Sequence, residues 1–467
     1  MTDRRAFGDF QTPPALARAV CRRLASLGLT PGAVVEPTCG VGGFLAAAAT
    51  AFASATLLGV EIDPGHAEAA RQAAPSARVE VGDFFTTDWP DRLAALPGPV
   101  LVLGNPPWVT AAEQGALGAK NRPPRGNLLG YVGLDALTGA SNFDISEWML
   151  LRLIDALAPS PDGVLAMLVK THAARRALTR IWREGPPLAE ARLYRIDARR
   201  HFGATVDAGL LICRTGPAGP PHCAVYADLD APQPAVTFGL IDDALVADVD
   251  AYAFARPILG KGPRWRSGVK HDCAAVLELT EDGDGLRNGL GERVDVEPAA
   301  LWPLMKSTDV AHGRPVTRRL LLTQRRADES PEWLATEAPR AWQYLQAHAR
   351  QLARRRSAIY RKRPPFAVFG VGPYSFSPWK IALSALARAP AFRAIGPCLD
   401  RPVLFDDTVY LLPCADGDEA RRFARLLASD RAVAALQALA FSDAKRPLTA
   451  AILGRIDLEA LEKNPLR

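Results

Sequence analysis

Between residues 15 and 105, short apolar, often β-branched runs alternate with stretches of helical spacing, and this alternation constrains the fold more than any other feature of the chain. Ala15–Leu27 reads as a helix, Ala33–Glu36 as a strand, Phe44–Phe52 as a helix, Thr56–Ile62 as a strand and His66–Ala74 as a helix. Val79–Val81 and Val100–Leu103 read as further strands. Helices between strands supply the crossovers that parallel pairing needs, so the pattern predicts βαβ units in a parallel sheet. The Gly-, Pro- and Asn-rich residues 110–142 read as a long loop. A helix at Ile145–Leu157, a strand at Val164–Val169, a helix at Ala173–Arg183 and strands at Leu193–Ile196 and Ala208–Cys213 follow. The Gly-Pro cluster at 216–221 punctuates the chain and divides it into an expected first domain, 1–221, and a second, 222–467. In the second, residues 222–300 are mixed, Trp333–Ala353 and Glu419–Leu439 read as helices and Phe366–Val371 as a strand.

The ends of the predicted strands carry the chemistry. Glu36-Pro37-Thr38-Cys39-Gly40-Val41-Gly42-Gly43-Phe44 joins the first strand to a helix. Its glycines let backbone approach a ligand closely, beside an electropositive helix N-terminus. Pyrophosphates favour such a turn, but Glu36 repels an anion and suits a cationic ligand such as the methionine end of S-adenosylmethionine. Glu61 ends the second strand, where an acid can accept from both ribose hydroxyls. Asp83, after the third strand, can accept from an adenine amino group, with Ile62 and Phe84 flanking the ring. An ordinary Gly turn and ordinary turn acids would explain each piece singly; their order at successive strand ends is what points to an adenosine-containing ligand.

Asn105-Pro106-Pro107-Trp108 follows the fourth strand. An adenine amino nitrogen is a poor nucleophile because its lone pair is delocalised into the ring. Acceptors for both amino hydrogens, here the Asn105 side-chain carbonyl and the Pro106 backbone carbonyl, shift that nitrogen toward tetrahedral geometry and return the lone pair. Prolines hold such carbonyls rigidly, which is preorganisation. Trp108 offers a face on which a base swung out of a duplex can stack. The bland alternative is a Pro-Pro turn that only closes a strand.

With these motifs in place, the chain resembles the amino-group DNA methyltransferases of the γ arrangement, and is especially similar to the Taq-type adenine enzymes of restriction–modification. The resemblance rests on Thr12-Pro13-Pro14, Glu36–Phe44, Glu61-Ile62-Asp63, Asp83-Phe84, Asn105–Trp108 and Asp162-Gly163-Val164-Leu165. It is specific over about residues 12–213 and weaker at Tyr360–Lys380 and Asp406–Pro413. It implies an α/β fold, a Rossmann-like S-adenosylmethionine-dependent methyltransferase domain with a C-terminal mixed α+β target-recognition domain. It further implies that Thr12, Pro13, Glu36, Pro37, Cys39, Gly40, Gly42, Glu61, Ile62, Asp83, Phe84 and Asn105 bind the cofactor. Asn105, Pro106, Pro107 and Trp108 would be catalytic, and Phe202 would stack on the base face opposite Trp108. Two features depart from the pattern or stand out from it. Lys170 stands where proline is common, and Ser141–Trp148 reads either as an organiser of the loop beside the base pocket or as a helix cap.

Charge separates the two halves. Residues 1–230 hold 22 basic and 22 acidic side chains, whereas 314–393 hold 16 basic against 4 acidic. Arg354, Arg355, Arg356, Arg361, Lys362 and Arg363, with Tyr374 and Lys380, interleave cations and aromatics in the way that phosphate and groove contacts require, so they are the expected DNA-binding residues. The seven cysteines include no Cys-x-x-Cys pair and no Cys/His cluster, so no metal is expected. No apolar run approaches the roughly 18 residues of a membrane span, and the N-terminus has no apolar signal core, so a cytoplasmic, nucleoid-associated bacterial or archaeal protein is expected. The expected partner is double-stranded DNA, bound by a monomer, with any restriction endonuclease on another chain. Three alternatives stay open: amino-group methylation of cytosine, methylation of ribosomal RNA or protein glutamine by the same tetrapeptide, and a catalytically silent DNA-binding protein on this scaffold. Pro397-Cys398 and Pro413-Cys414 lie too far from the cofactor motifs to serve cytosine-carbon chemistry.

Overall fold

The structure is a computed structural model that describes residues 11–109, 144–160, 162–283, 285–360, 363–387, 389–444 and 446–464. The chain forms two compact units, Met1–Val249 and Asp250–Arg467.

The first unit runs α1 (Pro14–Ser26), β1 (Ala33–Glu36), α2 (Gly43–Ala51), β2 (Thr56–Glu61), α3 (Pro64–Ala73), β3 (Arg78–Val81), α4 (Trp89–Ala94), β4 (Val100–Gly104), α5 (Ile145–Leu157), β5 (Val164–Lys170), α6 (Thr171–Glu184), β6 (Leu188–Ile196), α7 (Ala198–Phe202) and β7 (Ala208–Thr215). Strands β8 (His222–Tyr226), β9 (Val236–Ile241) and β10 (Ala244–Val246) follow. Among the described residues these make one sheet in the order β10-β9-β8-β6-β7-β5-β4-β1-β2-β3. Strands β3, β2, β1, β4 and β5 are parallel, and β7 is antiparallel to both β5 and β6. Strands β1 and β4 are buried along their whole length, which is why they read as unbroken apolar runs. Chain connections diverge between β1 and β4, and in open α/β sheets the crevice at such a switch point is where ligands bind.

Local chemistry explains the helix starts. Asp63 accepts from the His66 backbone N–H and Pro64 opens α3. Asp88 caps α4 in the same way, a helix absent from the sequence reading. In α1, Leu16, Ala17, Val20, Cys21 and Leu24 form one buried stripe.

The structural division falls after Val249, later than the Gly-Pro cluster. Residues 222–246 extend the first sheet because β8 pairs parallel with β6, and β9 and β10 complete the edge.

The second unit is mixed α+β. Its strands are β11 (Arg266–Ser267), β12 (Glu278–Asp282), β13 (Gly285–Asn288), β14 (Arg293–Val294), β15 (Leu301–Met305), β16 (Arg318–Leu321), β17 (Trp379–Ser384), β18 (Arg393–Ile395), β19 (Leu404–Phe405) and β20 (Val409–Cys414). They form sheets of order β11-β20-β17-β18 and β14-β13-β12-β16-β15-β19. Three expectations fail here. The 333–353 helix is three short ones, Trp333–Glu337, Pro339–Ala347 and Ala349–Ala353, because Pro339 cannot continue the first. The 419–439 helix breaks where Ser429 caps Asp430–Leu439. Phe366–Val371 is no strand: Phe366 has φ 64 and Phe369 makes one isolated bridge to Lys270. Its apolar run is buried as irregular chain.

Candidate active site

The candidate residues follow the ends of β1, β2, β3 and β4, with the switch point between β1 and β4. Glu36, the last residue of β1, is 4% exposed and accepts the Leu45 backbone N–H at 3.2 Å. Burial pushes its carboxyl well above the ordinary range; the Leu45 N–H opposes this, and neighbouring Glu61 adds to it. Glu61, at the end of β2, accepts the Gly40 N–H at 2.8 Å and the Asp63 N–H at 2.9 Å, so it shapes the turn as well as facing it. Gly40 and Gly42 have φ of 51 and 81, a left-handed conformation that side chains disfavour. A Cβ on Gly42 would stand 2.8 Å from the Ala70 backbone, so α3 packs directly on the turn. Pro37 and Cys39 are buried, and burial raises the Cys39 thiol. The Thr38 hydroxyl is buried with no protein partner.

Thr12 and Pro13, half-buried, lead α1 over this turn: a Cβ on Gly43 would stand 3.1 Å from the Thr12 carbonyl oxygen. Gln11, absent from the sequence reading, accepts the Val41 N–H at 3.1 Å; its position beside Thr12-Pro13 was the available signal. Ile62, which follows β2, is 46% exposed, Val81 is exposed at the end of β3, and Asp83 is half-buried two residues further on. Asp83 accepts the Phe85 N–H at 2.9 Å. Phe84 is buried against Trp89 and Trp148, with ring centroids 5.1 and 6.0 Å away, so it backs the site from within the core.

The tetrapeptide leaves β4 beside Glu36: a Cβ on Gly104 would stand 3.7 Å from Glu36 Cγ. Asn105 is half-buried and Pro106 buried. Trp108 is 6% exposed, and its indole N–H donates to the Leu168 carbonyl on β5 at 3.0 Å. Phe202, at the end of α7, meets it edge-to-face with centroids 5.1 Å apart. The two rings touch, so a base stacked between them requires them to part. Lys170 now has a partner: its ammonium lies 2.9 Å from Asp144 Oδ2, and Asp144 caps α5.

In the second unit, Arg354, Arg356 and Arg363 are exposed, Arg363 over the Phe369 ring. Arg355 is drawn inward, donating to the Ala367 and His271 carbonyls with its guanidinium 3.8 Å from the Tyr360 ring centroid. Tyr374 is half-buried under Arg266. Arg361 and Lys362 lie outside the described residues. Lys380 is placed against expectation: it is 1% exposed and donates to the Val403 carbonyl at 2.8 Å, so it cannot meet a phosphate. It lies in β17, where every residue after Trp379 is buried, so both faces of the strand are covered.

No family model matches the chain. It is 40% identical over 468 residues to the type II methyltransferase M.NspV of Nostoc sp., an alignment covering 98% of this chain and 97% of that protein. It is 34% identical over 103 residues to the type II methyltransferase M.CvrRI of Paramecium bursaria Chlorella virus XZ-6E, covering 22% of this chain and 25% of the viral protein. Its fold is similar to that of the Type IIL restriction-modification enzyme MmeI, solved in complex with DNA, with a TM-score of 0.51 at 14% identity. That match covers 88% of this chain and 60% of the MmeI chain.

Proposed function

Since the chain belongs to the type II methyltransferases of restriction–modification, S-adenosylmethionine-dependent enzymes that act on DNA, we propose that it methylates the exocyclic amino nitrogen of adenine in double-stranded DNA, on a base swung out of the helix. The observation that carries this reading is the tetrapeptide at the carboxyl end of β4, beside buried Glu36 at the switch point of the sheet.

The residues present suit the cofactor. Glu36, held toward its neutral form by burial, would ionise against the cationic end, Glu61 would take the ribose hydroxyls, and the orphaned Thr38 hydroxyl lies in the same turn. Exposed Ile62 and Val81 offer an apolar surface for its adenine, with Asp83 as acceptor for the amino group. Bound there, S-adenosylmethionine supplies an electrophilic methyl group. The protein's part is then to prepare the nucleophile. Asn105 Oδ1 and the Pro106 carbonyl accept the two amino hydrogens, pyramidalise the nitrogen and direct its lone pair. Trp108 and Phe202 part to stack on the two faces of the base. No nucleophilic side chain is called for: Asn105 and Pro106 would prepare the amino nitrogen itself, and S-adenosylmethionine held by Glu36, Glu61 and Asp83 would supply the methyl group.

Arg354, Arg356 and Arg363 supply phosphate contacts. The chain works as a monomer, and its cognate endonuclease is encoded separately; sedimentation of the purified protein and sequencing of neighbouring genes check these two points. The deciding experiment is nucleoside mass spectrometry of duplex DNA incubated with the purified chain and isotopically labelled S-adenosylmethionine. Labelled N6-methyldeoxyadenosine is the expected product. N4-methyldeoxycytidine would reassign the base, since the same geometry serves both amino groups, and no label in DNA would end the reading.

A further inference from the structure

Lys170 and Asp144 take no part in the chemistry above, yet they join the pieces that do. Lys170 closes β5, the strand beside β4, with Gly104 in register with Met167. Two residues before it, the Leu168 carbonyl receives the Trp108 indole N–H. The Lys170 ammonium donates to Asp144 Oδ2 at 2.9 Å. Asp144 is buried, and its other oxygen accepts from the Ser146 hydroxyl at 2.6 Å and the Ser146 N–H at 3.1 Å. Ile145, the next residue, donates its backbone N–H to the Val109 carbonyl at 3.0 Å, directly behind the tetrapeptide. The tip of β5 therefore grips the last ring of the tetrapeptide and the first turn of α5, and those two are tied to each other. In that same turn, Trp148 packs on Phe85 with centroids 5.2 Å apart, next to Asp83.

A second pair continues the arrangement: Arg176 Nε on α6 lies 3.1 Å from Glu147 Oε2 on α5. Burying charges is costly, and an apolar contact of similar volume often stabilises a fold as well. What an ion pair adds is direction, because a charge-assisted hydrogen bond tolerates little sliding where two aliphatic side chains would shift past each other.

We propose that Lys170, through Asp144, is a positioning residue for methyl transfer. It holds the Trp108–Val109 end of the tetrapeptide and the start of α5 in one register, so the Asn105 and Pro106 acceptors keep their place when Trp108 and Phe202 part around a base. The inference rests on the methyltransferase reading of the same site.

The test uses the full chain, as wild type, Lys170→Met, Lys170→Arg and the neutral pair Asp144→Asn/Lys170→Met. The readouts are kcat and KM on duplex DNA, S-adenosylmethionine affinity by calorimetry, and melting temperature. Lys170→Met should lose about tenfold or more in kcat, with cofactor affinity and KM little changed. Lys170→Arg should keep most of the rate. The neutral pair leaves no buried charge without its partner, so it should recover the melting temperature while its kcat stays low. Wild-type kcat in the neutral pair, or parallel loss of kcat and cofactor affinity, would reduce Lys170 to a structural ion pair and overturn the proposal. The neutral pair decides alone if Lys170→Met does not fold. A wild-type chain that leaves DNA unmethylated fails the functional reading instead, and the two failures are distinguishable.

Discussion

Single side chains at the switch point carry different duties, and substitutions separate them. Asn105 acts mainly when the amino nitrogen becomes tetrahedral, so Asn105→Ala should lose on the order of a hundredfold in kcat, well beyond its loss in cofactor affinity. Single-turnover kinetics beside calorimetry checks this, and an unchanged rate would remove Asn105 from the chemistry. Glu36 is held toward its neutral form by burial and by Glu61, and a cationic ligand favours its ionised form. Binding therefore releases a proton, and S-adenosylmethionine affinity should rise with pH; Glu36→Gln should flatten that rise in a titration series. Glu147 is a stability group. Burial raises its carboxyl from 4.5 to about 7, against the opposing Arg176. An acid whose folded value is raised stabilises fully below its unfolded value and loses that contribution as pH climbs to the folded one. Melting temperature should thus fall between pH 4.5 and about 7, and Glu147→Gln should flatten that portion. The strand-end positions of Glu36, Glu61 and Asn105 were legible because the apolar runs before them mark where each strand stops. Lys170 was legible only as an oddity, since its partner lies 26 residues away.

The turn between β1 and α2 is the element on which the cofactor side depends. Gly42 combines φ 81 with the Ala70 backbone 2.8 Å from where a Cβ would sit. Left-handed backbone costs an alanine roughly 1–2 kcal/mol before any clash, so Gly42→Ala should lower the denaturation midpoint and weaken cofactor binding together. Apart from α4, elements of the parallel sheet were readable to within a residue or two, α5 and β1 to the residue, because buried parallel strands are apolar runs and helices such as α3 and α5 start at an Asp cap. The second unit was less readable for an equally physical reason. Its apolar runs need not be regular: Phe366, Ala367 and Val368 are buried without joining a ladder. The break at Pro339 was visible in the sequence, and the helical stripe around it obscured the break.

Across the whole chain, charge and sheet are distributed unequally between the two units. Arg354 and Arg356 project from the second unit, whereas Arg355 is spent on its own backbone and on Tyr360. Arg354→Ala/Arg356→Ala should reduce the slope of log affinity against log salt by about 2, and Arg355→Ala should instead lower the stability of that unit. DNA-binding isotherms at several salt concentrations, with a melting curve for each variant, check both arms. An unchanged slope would take Arg354 and Arg356 out of the interface. By itself the sequence determined the βαβ order of the first unit, the acids at three successive strand ends and the tetrapeptide at the fourth. All of these follow from local propensity, periodicity and side-chain chemistry. Tertiary structure alone decided that 222–246 extend the first sheet, that Lys380 points into a core, that Trp108 meets Phe202, and that Lys170 pairs with Asp144. Those outcomes are choices among distant partners, made by which surfaces bury together, and no local pattern encodes which partner burial will select.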